Sequence, residues 1–87
     1  MDLTQKIKTI PLGYSIVNYQ NKKYGLSRKD FNGGKSIKVF AEELGGNNFI
    51  SFNYYFTSIS NLLKPCEMPI EKVLDFLENF TQSKMEV

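Results

Sequence analysis

The sequence lacks histidine and tryptophan and contains one cysteine, Cys66. Without histidine it has neither the commonest general base near neutral pH nor the commonest nitrogen ligand of zinc, copper and iron. Serine–histidine triads and histidine-based zinc sites are therefore excluded. A single cysteine also allows no internal disulfide and no four-thiolate zinc or iron–sulfur site within one chain. We expect no bound metal and no cofactor.

Long apolar segments and nucleotide-binding glycine loops are missing too. No run approaches the ~20 apolar residues of a membrane span, and residues 1–5 form no apolar signal core. The single cysteine is typical of a reducing compartment, because small secreted domains usually carry paired cysteines. We therefore expect a cytoplasmic protein that makes no contact with a membrane. No Gly-x-Gly-x-x-Gly or Walker-type loop occurs, so the glycine pairs are interpreted as turns.

The length and the aromatic content predict one folded domain. The 87 residues include seven phenylalanines and five tyrosines, and 41% of the residues are hydrophobic. A chain of this size buries roughly 60 to 65% of its unfolded surface and forms one modest core. We expect a single domain over residues 1–87, with an ordered core over about residues 6–81 and fraying ends at 1–5 and 82–87.

Alternation of apolar and polar residues predicts an antiparallel meander of strands. Asn32-Gly33-Gly34 and Gly45-Gly46-Asn47-Asn48 have the composition of hairpin turns that need positive φ. The predicted strands cover residues 13–19, 23–31, 36–42 and 49–57. Residues 62–66 form a possible fifth strand at an edge, since Pro65 cannot donate a ladder hydrogen bond. The first strand has apolar residues on both faces, which leaves its register open.

Pro69 begins an amphipathic helical pattern after the strands. Its apolar side carries Ile70, Val73, Leu74, Leu77 and Phe80, and its other side is acidic. The predicted fold is α+β, a twisted antiparallel meander of four to five strands followed by one C-terminal amphipathic helix. Such a helix covers one face of the sheet and leaves the other open to solvent or to a partner.

The charges are unevenly distributed along the chain. Eight of the eleven basic residues lie between Lys6 and Lys38, where Asp30 is the only acid, so this stretch carries +7. From Phe40 onward three lysines face seven acids. Clustered cations indicate a polyanionic partner, because they release counterions from phosphates.

Strand alternation also places cations and aromatic rings together on the predicted open face. Single-stranded nucleic acid binds to this mixture, since cations follow the phosphates and bases stack on the rings. The acidic helix is unsuited to insertion into a duplex groove. We predict a protein that binds single-stranded DNA or RNA, as a homodimer, through Lys23, Arg28, Lys29, Phe31, Lys35, Lys38, Phe40 and Tyr55.

Two other interpretations of this face stay open. Exposed lysines on a sheet also keep a protein soluble and prevent edge-to-edge aggregation. Exposed rings such as Phe40 and Phe49 also pack in dimer interfaces. Alternatively, the protein is an adaptor that binds another protein through the aromatic strand, with no nucleic acid or catalysis involved.

Residues 24–33 have the form Tyr-x-x-Ser-x-Lys-Asp-Phe-x-Gly, and Ile37-Lys38-Val39, Lys64-Pro65 and a closing helix follow in that order. This arrangement resembles the core of the transcriptional coactivator family called positive cofactor four. The resemblance covers roughly residues 14–80. It implies a dimer that binds single-stranded DNA on a curved sheet, with contacts from Arg28, Lys29, Phe31 and Lys38.

A longer pattern joins Tyr24-Gly25, residues 30–36, residues 42–47 and the segment Leu63-Lys64-Pro65-Cys66-Glu67-Met68-Pro69. It resembles a group of small bacterial proteins sometimes labelled peptide methionine sulfoxide reductase. That resemblance implies a thiol-dependent redox protein with Cys66 as its catalytic residue. The chain has no second cysteine to resolve a sulfenic acid, so turnover would need an external thiol.

Overall fold

The computed structural model describes residues 3–82. Two α-helices, six strands and one short 3-10 helix (Asn32–Gly34) make up this segment. In chain order the α-helices and strands are α1 (Leu3–Lys8), β1 (Gly13–Tyr19), β2 (Lys22–Phe31), β3 (Ser36–Glu43), β4 (Phe49–Phe56), β5 (Asn61–Pro65), α2 (Ile70–Asn79) and β6 (Thr81–Gln82).

All six strands belong to one antiparallel sheet, in the order β5-β4-β3-β2-β1-β6. The predicted α+β fold is confirmed, and the strand count is one higher than expected. β5 lies at one edge, as Pro65 indicated. The sixth strand, β6, follows α2 and pairs with β1 at the opposite edge. Helix α2 therefore carries the chain from one edge of the sheet to the other.

The predicted turns occur where the glycines and asparagines stand. Gln20 and Asn21 both have positive φ, 54° and 63°, and connect β1 to β2 as a two-residue loop. This left-handed pair matches the twist of the two strands it joins. Gly33 and Gly34, at 65° and 89°, belong to the connection between β2 and β3. The hairpin registers are fixed by these turns.

The hydrophobic core lies between the sheet and the helices. The strands contribute their apolar sides as predicted, and β1 contributes Val17 and Tyr19 rather than Tyr14 and Ile16. Helix α2 differs from the expectation: Ile70 and Leu74 are exposed. Its buried stripe has the helical spacing i, i+3, i+4, i+7 and consists of Val73, Phe76, Leu77 and Phe80.

Aromatic side chains dominate the contact between α2 and the sheet. The rings of Phe76 and Phe80 stack with centroids 5.0 Å apart, and Tyr19 meets Phe76 edge to face, also at 5.0 Å. The Tyr19 hydroxyl donates a hydrogen bond to the Asp75 carboxylate. Burial, reinforced by that hydrogen bond and by the negative charge, raises the pKa of the Tyr19 phenol above its usual range.

Helix α1 was not predicted from the sequence. Ile7 and Ile10 are both fully buried in the core. Residues Leu3–Gln5, expected among the fraying ends, belong to α1, and Gln82 belongs to β6. The other residues of the expected fraying ends, 1–2 and 83–87, lie outside the described part of the chain. Within residues 3–82, neither helix has the length and apolar character needed to cross a bilayer.

Candidate nucleic-acid interface

The two faces of the sheet differ in what covers them. Along residues 3–82, both helices pack on the face that carries Leu26 and Phe52. We call the opposite side the open face. Four of its rings are substantially exposed: Tyr14 at 62%, Phe31 at 47%, Phe40 at 38% and Phe49 at 37%.

A line of polar residues crosses this open face at right angles to the strands. Lys29 on β2 is directly opposite Lys38 on β3, which is opposite Asn53 on β4, which is opposite Lys64 on β5. We call these four residues the lysine row. Neighbouring strands lie ~4.8 Å apart, so the row spans about 14 Å of the sheet.

Aromatic residues flank the lysine row on both sides. Two residues further along the strands, a distance of about 7 Å, Phe31 and Tyr55 stand on either side of Ser36. On the other side of the row, Tyr14 and Phe40 stand on either side of Ser27. Ser36 separates Phe31 from Tyr55, and Ser27 separates Tyr14 from Phe40.

A shallow pocket lies where the lysine row and the rings meet. It has a volume of about 300 Å³ and is lined by Ser27, Lys29, Phe31, Lys38 and Phe40. Cations and aromatic carbons thus border the same small space. Phosphate and nucleobase are the groups that fit such a lining.

The electrostatics of the row favour an anion. Lys29 and Lys38 are directly opposed, and like charges in this relation destabilise a strand pair. Among residues 3–82, neither of them forms an ion pair with a described carboxylate. Glu42 is the acid on the same face of β3, four residues and about 13 Å from Lys38. A phosphate between the two lysines would replace their repulsion with attraction.

Arg28 is not on the open face. Its side chain, 12% exposed, pairs with Asp30 at 3.0 Å between Nε and Oδ1. Its Nη1 donates to the Ile10 carbonyl oxygen at 2.7 Å. Successive side chains of a strand point to opposite faces, so Arg28, which lies between Ser27 and Lys29 of the open face, points to the helix side. The guanidinium fastens the segment before β1 to the helix side of the sheet.

Two other predicted cations lie away from the lysine row. Lys23 is on the open face, but it lies six positions before Lys29 along β2, a distance of about 20 Å. Its Nζ donates to Asn18 Oδ1 at 3.3 Å. Lys35 is exposed in the connection before β3. The structure therefore brings together five of the predicted residues, Lys29, Phe31, Lys38, Phe40 and Tyr55.

Sequence reasoning missed two residues of this interface. Lys64 belongs to the lysine row, but the register of β5 could not be read from a five-residue strand that contains proline. Tyr14 lies over Gly25, where a Cβ atom would collide with the Tyr14 hydroxyl. The sequence did contain a signal for this contact, because it places Tyr14 and Gly25 on the same face of two neighbouring strands.

Cys66 is half-buried beside the lysine row. Its backbone N–H donates to the Ser51 carbonyl oxygen at 2.9 Å, and its Sγ lies 3.5 Å from Asn53 Nδ2, which donates to it. In the segment that the structure describes, no three potential metal-ligating side chains come together. The thiol is thus a neighbour of the candidate interface.

Comparisons with protein-family models, with curated proteins and with solved structures found no match for this chain.

Proposed function

We propose that this protein binds single-stranded nucleic acid on its open face. The observation that carries the proposal is the lysine row with exposed rings on both of its sides. Lysine side chains hold phosphates by charge, and each base that stacks on a ring contributes about 1–3 kcal/mol. Neither part requires a particular base sequence.

The shape of the face favours a single strand over a duplex. The rings of Phe31, Phe40 and Tyr55 can accept only bases that are not already stacked in a duplex. The helix layer exposes Glu71, Asp75 and Glu78, which would repel a phosphate backbone in a groove. We also propose that the protein forms a homodimer and acts in the cytoplasm.

The direct test is fluorescence anisotropy of a labelled single-stranded oligothymidylate, titrated with protein over a range of salt concentrations, beside the matching duplex. We expect the single strand to bind more tightly than the duplex. The logarithm of the binding constant should fall linearly with the logarithm of the salt concentration. No binding by the wild-type protein at low salt would overturn the proposal and direct attention to a protein partner.

The first variant replaces Lys29 and Lys38 together by glutamate. We expect Lys29→Glu/Lys38→Glu to abolish binding, because the two lysines border the pocket on the open face. The matched control is Lys8→Glu/Lys22→Glu, which makes the same change in net charge at exposed positions off this face. If both double variants lost binding equally, overall charge and not the open face would be responsible. Circular dichroism would verify that each variant is folded.

A further inference from the structure

We infer that the nucleic acid crosses the β-strands along the lysine row, and that Lys64 holds a phosphate at the far end of this path. The inference rests on the proposed function and adds a direction, a length and a residue to it. Lys64 lies outside the basic stretch of the sequence, and only the pairing of β5 with β4 brings it into line with Lys29 and Lys38.

The charges favour a path across the strands over a path along them. Along β2 the next cation on the open face after Lys29 is Lys23, about 20 Å away, with Gly25 and Ser27 between them. Along β3 a strand leaving Lys38 would reach the carboxylate of Glu42. Across the strands it meets Asn53 and Lys64 within about 10 Å of Lys38.

The aromatic residues agree with the crossing path. Phe31 and Tyr55 lie on one side of the lysine row, and Tyr14 and Phe40 lie on the other. A backbone that follows the row can therefore turn its bases to both sides. Phe31 and Tyr55 are two strands apart, about 10 Å, and so are Tyr14 and Phe40, while Phe49 lies beside Phe40 with ring centroids 6.0 Å apart.

The length of the row sets the size of the site. Three lysines over about 14 Å engage about three phosphates, and each phosphate contact to a single strand contributes about −0.7 to the salt slope. We therefore expect a slope of about −2 for the wild-type protein. Binding should improve up to an oligonucleotide of about four nucleotides and then change little.

The deciding experiment compares Lys64→Gln with Lys23→Gln, which each remove one cation from the open face. Both are titrated with the labelled oligothymidylate used for the wild-type protein. We expect Lys64→Gln to weaken binding about five- to tenfold at low salt and to reduce the magnitude of the salt slope by about 0.7–1. Lys23→Gln should stay within about twofold of the wild type. Lys64→Arg, which keeps the charge, should retain binding and shows that position 64 tolerates substitution.

The possible failures are distinguishable. If the wild-type protein bound no oligonucleotide, the proposed function itself would be wrong. If the wild type bound and Lys23→Gln weakened binding as much as Lys64→Gln or more, only the crossing path would be overturned. A salt slope well beyond −2 would likewise contradict a site of three lysines.

Discussion

Tyr19 joins the sheet to α2 through a polar contact inside an aromatic cluster. Its ring packs against Phe76, and its hydroxyl donates to the carboxylate of Asp75 on the helix. Ionisation of this phenol, which is itself buried, would place a second negative charge beside the Asp75 carboxylate. The folded state therefore retains the phenol proton at a pH where the unfolded chain releases it.

This retention predicts an alkaline loss of stability that depends on Tyr19. The folded pKa is raised, so the stabilisation is fully present below the unfolded value of about 10 and decreases as the pH rises above it, by at most ~1.4 kcal/mol per pH unit for one group. We expect the free energy of unfolding, measured with urea between pH 8 and pH 11, to fall less steeply for Tyr19→Phe than for the wild type. Asp75→Asn, which removes the neighbouring charge, should lie between them. Parallel slopes for all three proteins would contradict this account.

At the residue scale, alternation predicted which side of a strand a side chain takes. Tyr24 and Leu26 are buried, and Lys29 and Phe40 are exposed, as the pattern required. Arg28 shows what alternation cannot supply alone, since the sequence does not say that a guanidinium will find the Ile10 carbonyl oxygen as a partner. Such a contact depends on a segment eighteen residues away.

Helix α1 is an element whose stability comes from its burial and not from its own sequence. Six residues are too few for an isolated helix to be stable in water. Ile7 is fully buried against the rest of the core. Lys6 adds a contact from its Nζ to the face of the Phe80 ring, 4.5 Å from the centroid.

A pair of identical substitutions tests this conclusion. Ile7→Ala removes a fully buried side chain and should lower the free energy of unfolding by about 2–4 kcal/mol, as for other buried isoleucines. Ile59→Ala makes the same chemical change at a side chain that is 94% exposed and should alter it by less than ~0.5 kcal/mol. Chemical denaturation measures both. Equal values for the two variants would mean that α1 does not belong to the core in solution.

Among the elements, the longer ones could be predicted from their periodicity and β5 from its proline, whereas α1 and β6 could not be predicted. β2, β3 and β4 each run for eight residues or more, which is enough for a clear period of two. α1 has six residues and β6 has two. Such short segments show no clear periodicity, and they are stable only when they pack against or pair with the rest of the fold. The buried side of α2 includes Phe76 and differs from the predicted side, because the sequence of a helix does not determine which of its sides faces the sheet.

At the scale of the whole molecule, the two faces of the sheet carry different sets of residues. The side under the helices contains the core, and the open side contains the opposed lysines Lys29 and Lys38. The cross-strand repulsion between Lys29 and Lys38 is unnecessary for folding. It has a use if an anion binds there.

The repulsion predicts that a variant with weaker binding will be more stable. Lys38→Gln should raise the free energy of unfolding by about 0.2–1 kcal/mol at low salt. The gain should shrink as salt screens the charges. Lys64→Gln is the control, because Lys64 is opposite Asn53 and not a cation, so its removal should change stability less. Urea unfolding at about 0.02 M and about 0.5 M salt provides the measurement. If Lys38→Gln were no more stable than the wild type at low salt, the opposed lysines would not be in conflict.

The basic stretch of the sequence illustrates the difference between a linear and a spatial distribution of charge. Its lysines and arginine are divided between both faces of the sheet, and Arg28 and Lys22 are paired with acids. The lysine row draws Lys64 from the acidic half of the chain. The polyanionic partner that the charge distribution indicated stays a prediction. The set of cations that share one face could be identified only from the registers of four strands.

Helix α2 begins beside β5 at one edge of the sheet and is followed at once by β6 at the other. Because α2 connects the two edges of the sheet, its length limits how far the sheet beneath it can flatten or curl. The spacing between Lys29 and Lys64 on the outer surface depends on the curvature of the sheet, to which packing on the inner surface contributes. On the proposed function, a change at Phe76 or Val73, on the opposite side of the sheet, would therefore alter binding.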